Sequence, residues 1–137
     1  KDLKNLVASA ASRSAGCQYC SAHMGTAATD VTDVSPEKVA AAFDYETSSL
    51  FSDAEKAALN FAQAAAAQPN MVAQSDVDAL LAHFSEDQIV ELLSVVCMFG
   101  WLNRWNDTMA TALEDRPKQF AEENLAASGW EIGVHDK

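Results

Sequence analysis

Apolar residues return every three or four positions through most of the chain, and strand-like alternation is almost absent. Ala54, Ala57, Ala58, Phe61, Ala62 and Ala65 share one helical face, a stripe of mostly small residues that lets a neighbouring helix approach closely. Ile89, Leu92, Leu93, Val96 and Cys97 share a face in the next long segment. Helix starts are marked by Ser35-Pro36, with proline at a first helical position, and by Ser52…Glu55 and Ser85…Gln88 at capping-box spacing. Ser75 followed by Asp76 and Asp78 marks another start. The pattern predicts helices over Asp2–Ser14, Gly16–Thr29, Pro36–Phe43, Asp53–Ala67, Ser75–His83 and Glu86–Leu113, with a possible break site at Gly100. A C-terminal turn or helix is predicted around Lys118–Ala127, and the tail "SGWEIGVHDK" reads as irregular. The expected fold is all-α, a compact bundle of about six helices in a single domain over residues 1–137.

Composition supports that reading. Alanine is abundant while there are only 5 Gly and 3 Pro, which favours helix. A chain of 137 residues can bury roughly two-thirds of its unfolded surface without covalent staples. The net charge of −11 argues against nucleic acid as a partner, because such affinity comes mainly from Lys and Arg neutralising phosphates. No run reaches the roughly 18 apolar residues that span a bilayer, and the start lacks a signal-peptide pattern, so no membrane association and a cytoplasmic location are expected. The chain opens at Lys1 without a Met, which suggests a processed or truncated N-terminus.

Chemistry concentrates in "SRSAGCQYCSAHMG", where Cys17, Cys20 and His23 recur at three-residue spacing and so share a helical face. Three cysteines, an odd number in a chain long enough to form a core, speak against a secreted disulfide framework. Cys97, alone in "ELLSVVCMFGWL", is expected to be a buried thiol acting as a small hydrophobe. The pair admits three readings. Zinc wants four ligands, and the other soft candidates, Cys97, His83 and His135, are each isolated in sequence. A structural reading makes them two core thiols beside a partly buried histidine. A redox dithiol places Cys17 in the first turn of a helix, where the macrodipole and unpaired N–H groups favour thiolate. Cys20 would then lie close enough to trap a sulfenate, with His23 able to move a proton near neutral pH. Helix on both sides of the motif departs from the βαβ setting of thioredoxin-type proteins.

"GCQYCSAHMG", together with "FSDAEKAALNFAQA", "FSEDQIVELLSVVCMFGWLNRWND" and "SGWEIGVH", resembles the alkylhydroperoxidase D-like branch of the carboxymuconolactone decarboxylase superfamily over most of the chain. The resemblance implies hydroperoxide reduction by the dithiol without metal or other cofactor, Cys20 being peroxidatic, Cys17 resolving and His23 part of a proton relay. It also implies a homo-oligomer, often a trimer or hexamer, and recycling by a dithiol donor such as a lipoylated protein. Two positions depart from the family pattern. The relay glutamate twelve residues before the first cysteine is Asn5 here, and an amide cannot take a proton from a thiol. His23 lies three rather than four positions after Cys20.

Glu91 is a candidate substitute, because it precedes Asn103 by the same twelve positions that separate Asn5 from Cys17. An offset of 86 aligns Cys17 and Cys20 with Asn103 and Asn106, and His23 with Met109, which suggests a duplicated helix hairpin. Otherwise Glu91 is an ordinary exposed acid. Trp101 and Trp105 are expected to pack in a helix or subunit interface and Arg104 to pair with an acid; alternatively, with Asn103, Asn106 and Asp107, they line a pocket. The chief alternatives to a thiol peroxidase are a redox sensor or interaction protein that forms the disulfide without turnover, and a lactone decarboxylase, which needs no cysteine pair.

Overall fold

A computed structural model describes residues 1–137 and contains helices and turns only. The order is α1 (Asp2–Ser14), α2 (Gln18–Asp30), α3 (Pro36–Ala41), α4 (Asp53–Ala66), α5 (Gln74–Leu81), α6 (Glu86–Met109) and α7 (Asp115–Asn124), followed by 3₁₀ turns at Ala126–Ser128 and Gly133–His135. The all-α bundle expected from the sequence is observed, with seven α-helices. None of them is long and apolar enough to cross a membrane.

α1 occupies the middle. Its stretch Leu6–Ser12 is buried without interruption, and it packs against α2, α4 and α6. The small side chains of α1 and α4, among them Ala10, Ala11, Ala58 and Ala62, let these helices meet closely, and Leu6, Leu59 and Leu80 fill the space between elements. α2 continues outward to α7. Gly25 permits that approach, since a Cβ there would lie 2.7 Å from Phe120 Cε1.

The capping signals read correctly. Ser35, Ser52 and Ser85 accept the N–H groups of Lys38, Glu55 and Gln88, and the last two form full capping boxes. α5 starts one residue earlier than Ser75, at Gln74, because Asp76 Oδ2 reaches back 2.8 Å to the N–H of Ala73. α7 starts at Asp115, before Pro117 rather than after it. Proline fits a first turn, where its missing N–H has no intrahelical partner to lose. α6 ends at Met109 instead of Leu113, because Ala110 turns left-handed at φ 46°.

Two expectations fail. α6 runs unbroken past Gly100, so residues 88–109 form no counterpart of the α1–α2 turn, and the duplicated hairpin is not found. The reason is local: Gly16 adopts φ +82° and reverses the chain, whereas its counterpart at the offset of 86 is Leu102, inside a continuous helix. Cys97 is exposed, not buried, and so is Leu93. The buried face of α6 is Leu92, Val96, Phe99, Asn103 and Asn106, while Leu93, Cys97, Trp101, Trp105 and Met109 project outward. Periodicity could not choose between faces in a segment that is apolar on both.

Candidate functional site

The first thiol is placed by the end of one helix and the beginning of the next. α1 closes in a Schellman turn: Gly16 N–H donates to the Arg13 carbonyl at 3.0 Å and Cys17 N–H to the Ser12 carbonyl at 2.9 Å. Cys17 is at the same time the N-cap of α2, its Sγ accepting the N–H of Cys20 at 3.4 Å. It therefore stands one position before the first turn expected from the sequence. Cys20 lies inside that turn, and both thiols are buried with Ala8 and Phe99 between α1, α2 and α6.

The two sulfurs are electrostatically unequal. The Cys17 S–H aimed at Cys20 favours thiolate on Cys20 and, with the Asn106 Nδ2–H 3.5 Å away, lowers the Cys20 pKa in spite of burial and the nearby Asp107 charge. Cys17 is displaced the other way. Its hydrogen bond to Cys20, burial and the Asp107 carboxylate all hold the proton on its sulfur, outweighing the backbone N–H it accepts. The pair is thus polarised toward thiolate at Cys20 and thiol at Cys17, opposite to the preference that the macrodipole alone suggested for Cys17.

His23 lies on the outer side of α2, its Nε2 2.7 Å from Glu114 Oε2 and its ring 4.4 Å from that of Tyr19. The Tyr19 hydroxyl donates to the other Glu114 oxygen at 3.2 Å. Glu114 was not singled out in the sequence, since it lies 91 positions from His23 in a loop just before α7. Asn5 does not face the thiols; its amide donates to the Ala27 carbonyl at 3.3 Å and ties α1 to α2. Glu91 is not brought to the thiols either. It is exposed and ion-paired with Lys4 at 2.8 Å, a contact that lowers its pKa. Along α6 it stands 15 residues from Asn106, about 22 Å at 1.5 Å per residue.

A second histidine, isolated in sequence, is brought in by the tail. His135 is 2% exposed. Its carbonyl accepts the Leu113 N–H at 3.0 Å, its Nδ1 lies 2.8 Å from the Thr111 carbonyl, and its Nε2 lies 3.2 Å from Asp107 Oδ1. The left-handed turn at Ala110 ends α6 just before Thr111, and the tail fastens there. Cys17 Sγ, an Asp107 oxygen and a His135 nitrogen all lie within 4.8 Å of one another. These are donor types that zinc accepts, but the direct contact uniting them is the 3.2 Å nitrogen–oxygen separation of a hydrogen bond. Tyr19 bridges the two histidines, its ring 5.6 Å from that of His135. Trp130, next to Gly129 in the same tail, donates its indole N–H to the Gln18 carbonyl at 3.0 Å.

Asp107 also lines an open cleft of about 850 Å³ with Asn103, Arg104, Trp101 and Trp105. The two tryptophans stack at 5.6 Å, and Arg104 bonds the Gly100 carbonyl rather than an acid. Asn103 is 2% exposed, yet its side-chain nitrogen and oxygen have no partner. Such an amide at a cleft wall is suited to a polar ligand. His83 is exposed near Phe84 and takes no part.

Comparisons with known proteins agree with this architecture. Residues 1–64 match the family model described as "Carboxymuconolactone decarboxylase family". The chain is 29% identical over 114 residues to the uncharacterized protein YnjA of Escherichia coli (strain K12), covering 78% of this chain and 58% of that protein. The debrominase Bmp8 in its apo form superposes with a TM-score of 0.83 at 35% identity, over 90% of this chain and 66% of that one. A cysteine-to-alanine variant of Bmp8 in complex with 2,3,4-tribromopyrrole gives a TM-score of 0.84 at 36% identity, over 89% of this chain and 65% of that one. The chain thus spans somewhat less than two-thirds of the length of these relatives. The CxxC turn lies inside the segment that matches the carboxymuconolactone decarboxylase family model, and the solved relatives share the helical fold around it.

Proposed function

We propose that this protein is a thiol-dependent peroxidase of the alkylhydroperoxidase D-like branch. The observation that carries the reading is the buried pair itself: Cys17 caps α2 and accepts the Cys20 N–H at 3.4 Å, and the Asn106 amide lies 3.5 Å from the Cys20 sulfur, a placement that favours thiolate on Cys20. Cys20 attacks the terminal peroxide oxygen, the O–O bond breaks, and the alkoxide leaves as alcohol while Cys20 becomes a sulfenic acid. Cys17 then displaces hydroxide from that sulfur, forming the disulfide. A dithiol donor, such as a lipoylated protein, reduces it again. His23, the relay residue that the resemblance implies, has Glu114 rather than Glu91 as its carboxylate partner, at 2.7 Å.

A homo-oligomer, trimer or hexamer, accords with the outward apolar face of α6, where Trp101 is 62% and Trp105 54% exposed. The reading places the protein in the cytoplasm, where a reducing poise keeps dithiols available. The test is steady-state consumption of an organic hydroperoxide with dihydrolipoamide. Turnover by the wild type that is lost in Cys20→Ser is expected; turnover retained in that variant refutes the assignment.

The likeness to the debrominase Bmp8 favours a second reading of the same dithiol. Here the Cys20 thiolate would take bromine from a bromopyrrole, the ring carbon would gain a proton, and Cys17 would displace bromide to form the disulfide. Hydroperoxide and 2,3,4-tribromopyrrole offered in parallel, with disulfide formation and bromide release measured, separate the two.

A further inference from the structure

We propose that Asp107 and His135 form the proton-exchange pair that serves the dithiol, with Asp107 exchanging protons at Cys17 and at the cleft and His135 positioning it and holding the proton. The inference rests on the peroxidase reading for its oxidant, but not for its geometry. The Thr111 carbonyl can only accept, so the Nδ1 of His135 at 2.8 Å carries a hydrogen. A neutral ring with that tautomer presents a bare Nε2 to Asp107 Oδ1 at 3.2 Å. Two acceptors then face one another, and the contact is a hydrogen bond only when one further proton lies between them. The tail fixes this arrangement, because Leu113 N–H also donates to the His135 carbonyl at 3.0 Å.

The pair has access on both sides. Asp107 lies within 4.8 Å of Cys17 Sγ and also lines the cleft, while His135 is buried behind it. His23 instead directs its Nε2 to Glu114 at 2.7 Å, and Asn5 is turned to the Ala27 carbonyl. Asp107 is therefore the carboxylate positioned to perform the task left open by the missing glutamate.

The protons balance through this pair. At rest there is a Cys20 thiolate, a Cys17 thiol and one proton shared between Asp107 and His135. When the peroxide O–O bond breaks, the shared proton goes to the leaving alkoxide, leaving two acceptors face to face. The emptied pair takes the Cys17 proton, and the Cys17 thiolate attacks the Cys20 sulfenic sulfur. That proton is then delivered to the departing hydroxide as water. One hydroperoxide, one thiolate, one thiol and one stored proton become one alcohol, one water and one disulfide. Reduction by the external dithiol regenerates the thiolate and the thiol and returns the stored proton.

The experiment follows single-turnover oxidation of metal-chelated protein by cumene hydroperoxide. Dimedone trapping and mass spectrometry report the sulfenic acid, and the loss of two titratable thiols reports the disulfide. Asp107→Asn keeps the shape but cannot hold the proton; His135→Gln is read alongside it, with helical circular dichroism as a check on folding. Both are expected to slow disulfide formation by about 100-fold or more, the range of general acid–base assistance, with any trapped sulfenic acid confined to Cys20. In Asp107→Ala, added formate is expected to restore much of the rate, which a merely structural role would not allow. Disulfide formation at the wild-type rate in Asp107→Asn, or no response of Asp107→Ala to formate, overturns the proposal. Diamide, which drives the same Cys17 deprotonation without peroxide, separates the two readings. If hydroperoxide fails with wild type but the diamide reaction still depends on Asp107, the peroxidase reading falls and the pair stands. A diamide reaction indifferent to Asp107 removes the pair.

Discussion

Two histidine–carboxylate pairs flank Tyr19, and they differ in almost every physical respect. The outer pair, His23 with Glu114, is close to the surface, with side chains 36% and 60% exposed. The inner pair, His135 with Asp107, has its histidine 2% exposed and fixed by the Thr111 carbonyl. The inner carboxylate shares a 4.8 Å neighbourhood with the Cys17 thiol. The comparison teaches that sequence proximity to CxxC is a poor guide to chemical proximity. His23 is three residues from Cys20 but directs its hydrogen bond away to Glu114, whereas His135 is 118 residues from Cys17 and lies beside it.

The comparison can be broken most severely at its centre. Cys20→Ser is expected to abolish dithiol turnover under either pair, measured as hydroperoxide or bromopyrrole consumption, because a serine hydroxyl supplies no thiolate. Next comes the contrast between pairs. Asp107→Asn should slow disulfide formation about 100-fold or more, while Glu114→Gln should cost less than about 10-fold. Equal losses in the same stopped-flow assay would erase the distinction.

A third prediction concerns the polarity of the thiols. The Cys17 S–H is the largest cause lowering the Cys20 pKa from its ordinary 9.0, so Cys17→Ala should raise it. As pH rises, thiolate absorbance at 240 nm in Cys17→Ala should appear later than the first wave of the wild type. A first wave that does not move would mean that Asn106 and the helix start alone hold the charge. Cys97→Ser in both backgrounds removes the exposed third thiol from the signal.

Smaller effects test the frame. Gly25→Ala would drive a methyl to 2.7 Å from Phe120 and should destabilise the α2–α7 contact by about 1–3 kcal/mol, read by denaturant titration. An unchanged midpoint would show that Phe120 can move aside. Glu91→Gln loses only an exposed pair with Lys4 and should leave peroxide consumption and the Cys20 titration unchanged; a change in either would restore Glu91 to the mechanism.

Much of the fold was legible because it depends on local signals. Ser52 and Ser85 cap where their spacing to Glu55 and Gln88 says they should, and the Ala58–Ala62 face of α4 is buried as its period requires. The misreadings arose where local signals are ambiguous. Pro117 marks a first turn as readily as a break, and the α6 segment, apolar on two faces, gives no hint that Cys97 points outward. The site was legible at Cys17 and Cys20, whose close spacing makes their proximity a property of one helix turn.

By itself the sequence determined the helices, the turn at Gly16 and a dithiol at the start of α2, since each depends on bonds among residues only a few positions apart. Tertiary structure alone decided which groups polarise the two sulfurs and which acid stands near them. Those outcomes depend on Asn106, Asp107 and His135, brought to α2 across 86 or more positions by the packing of α6 and the return of the tail. Hydrogen-bond direction and charge act through space over a few ångströms, and only the folded chain brings these groups within that range.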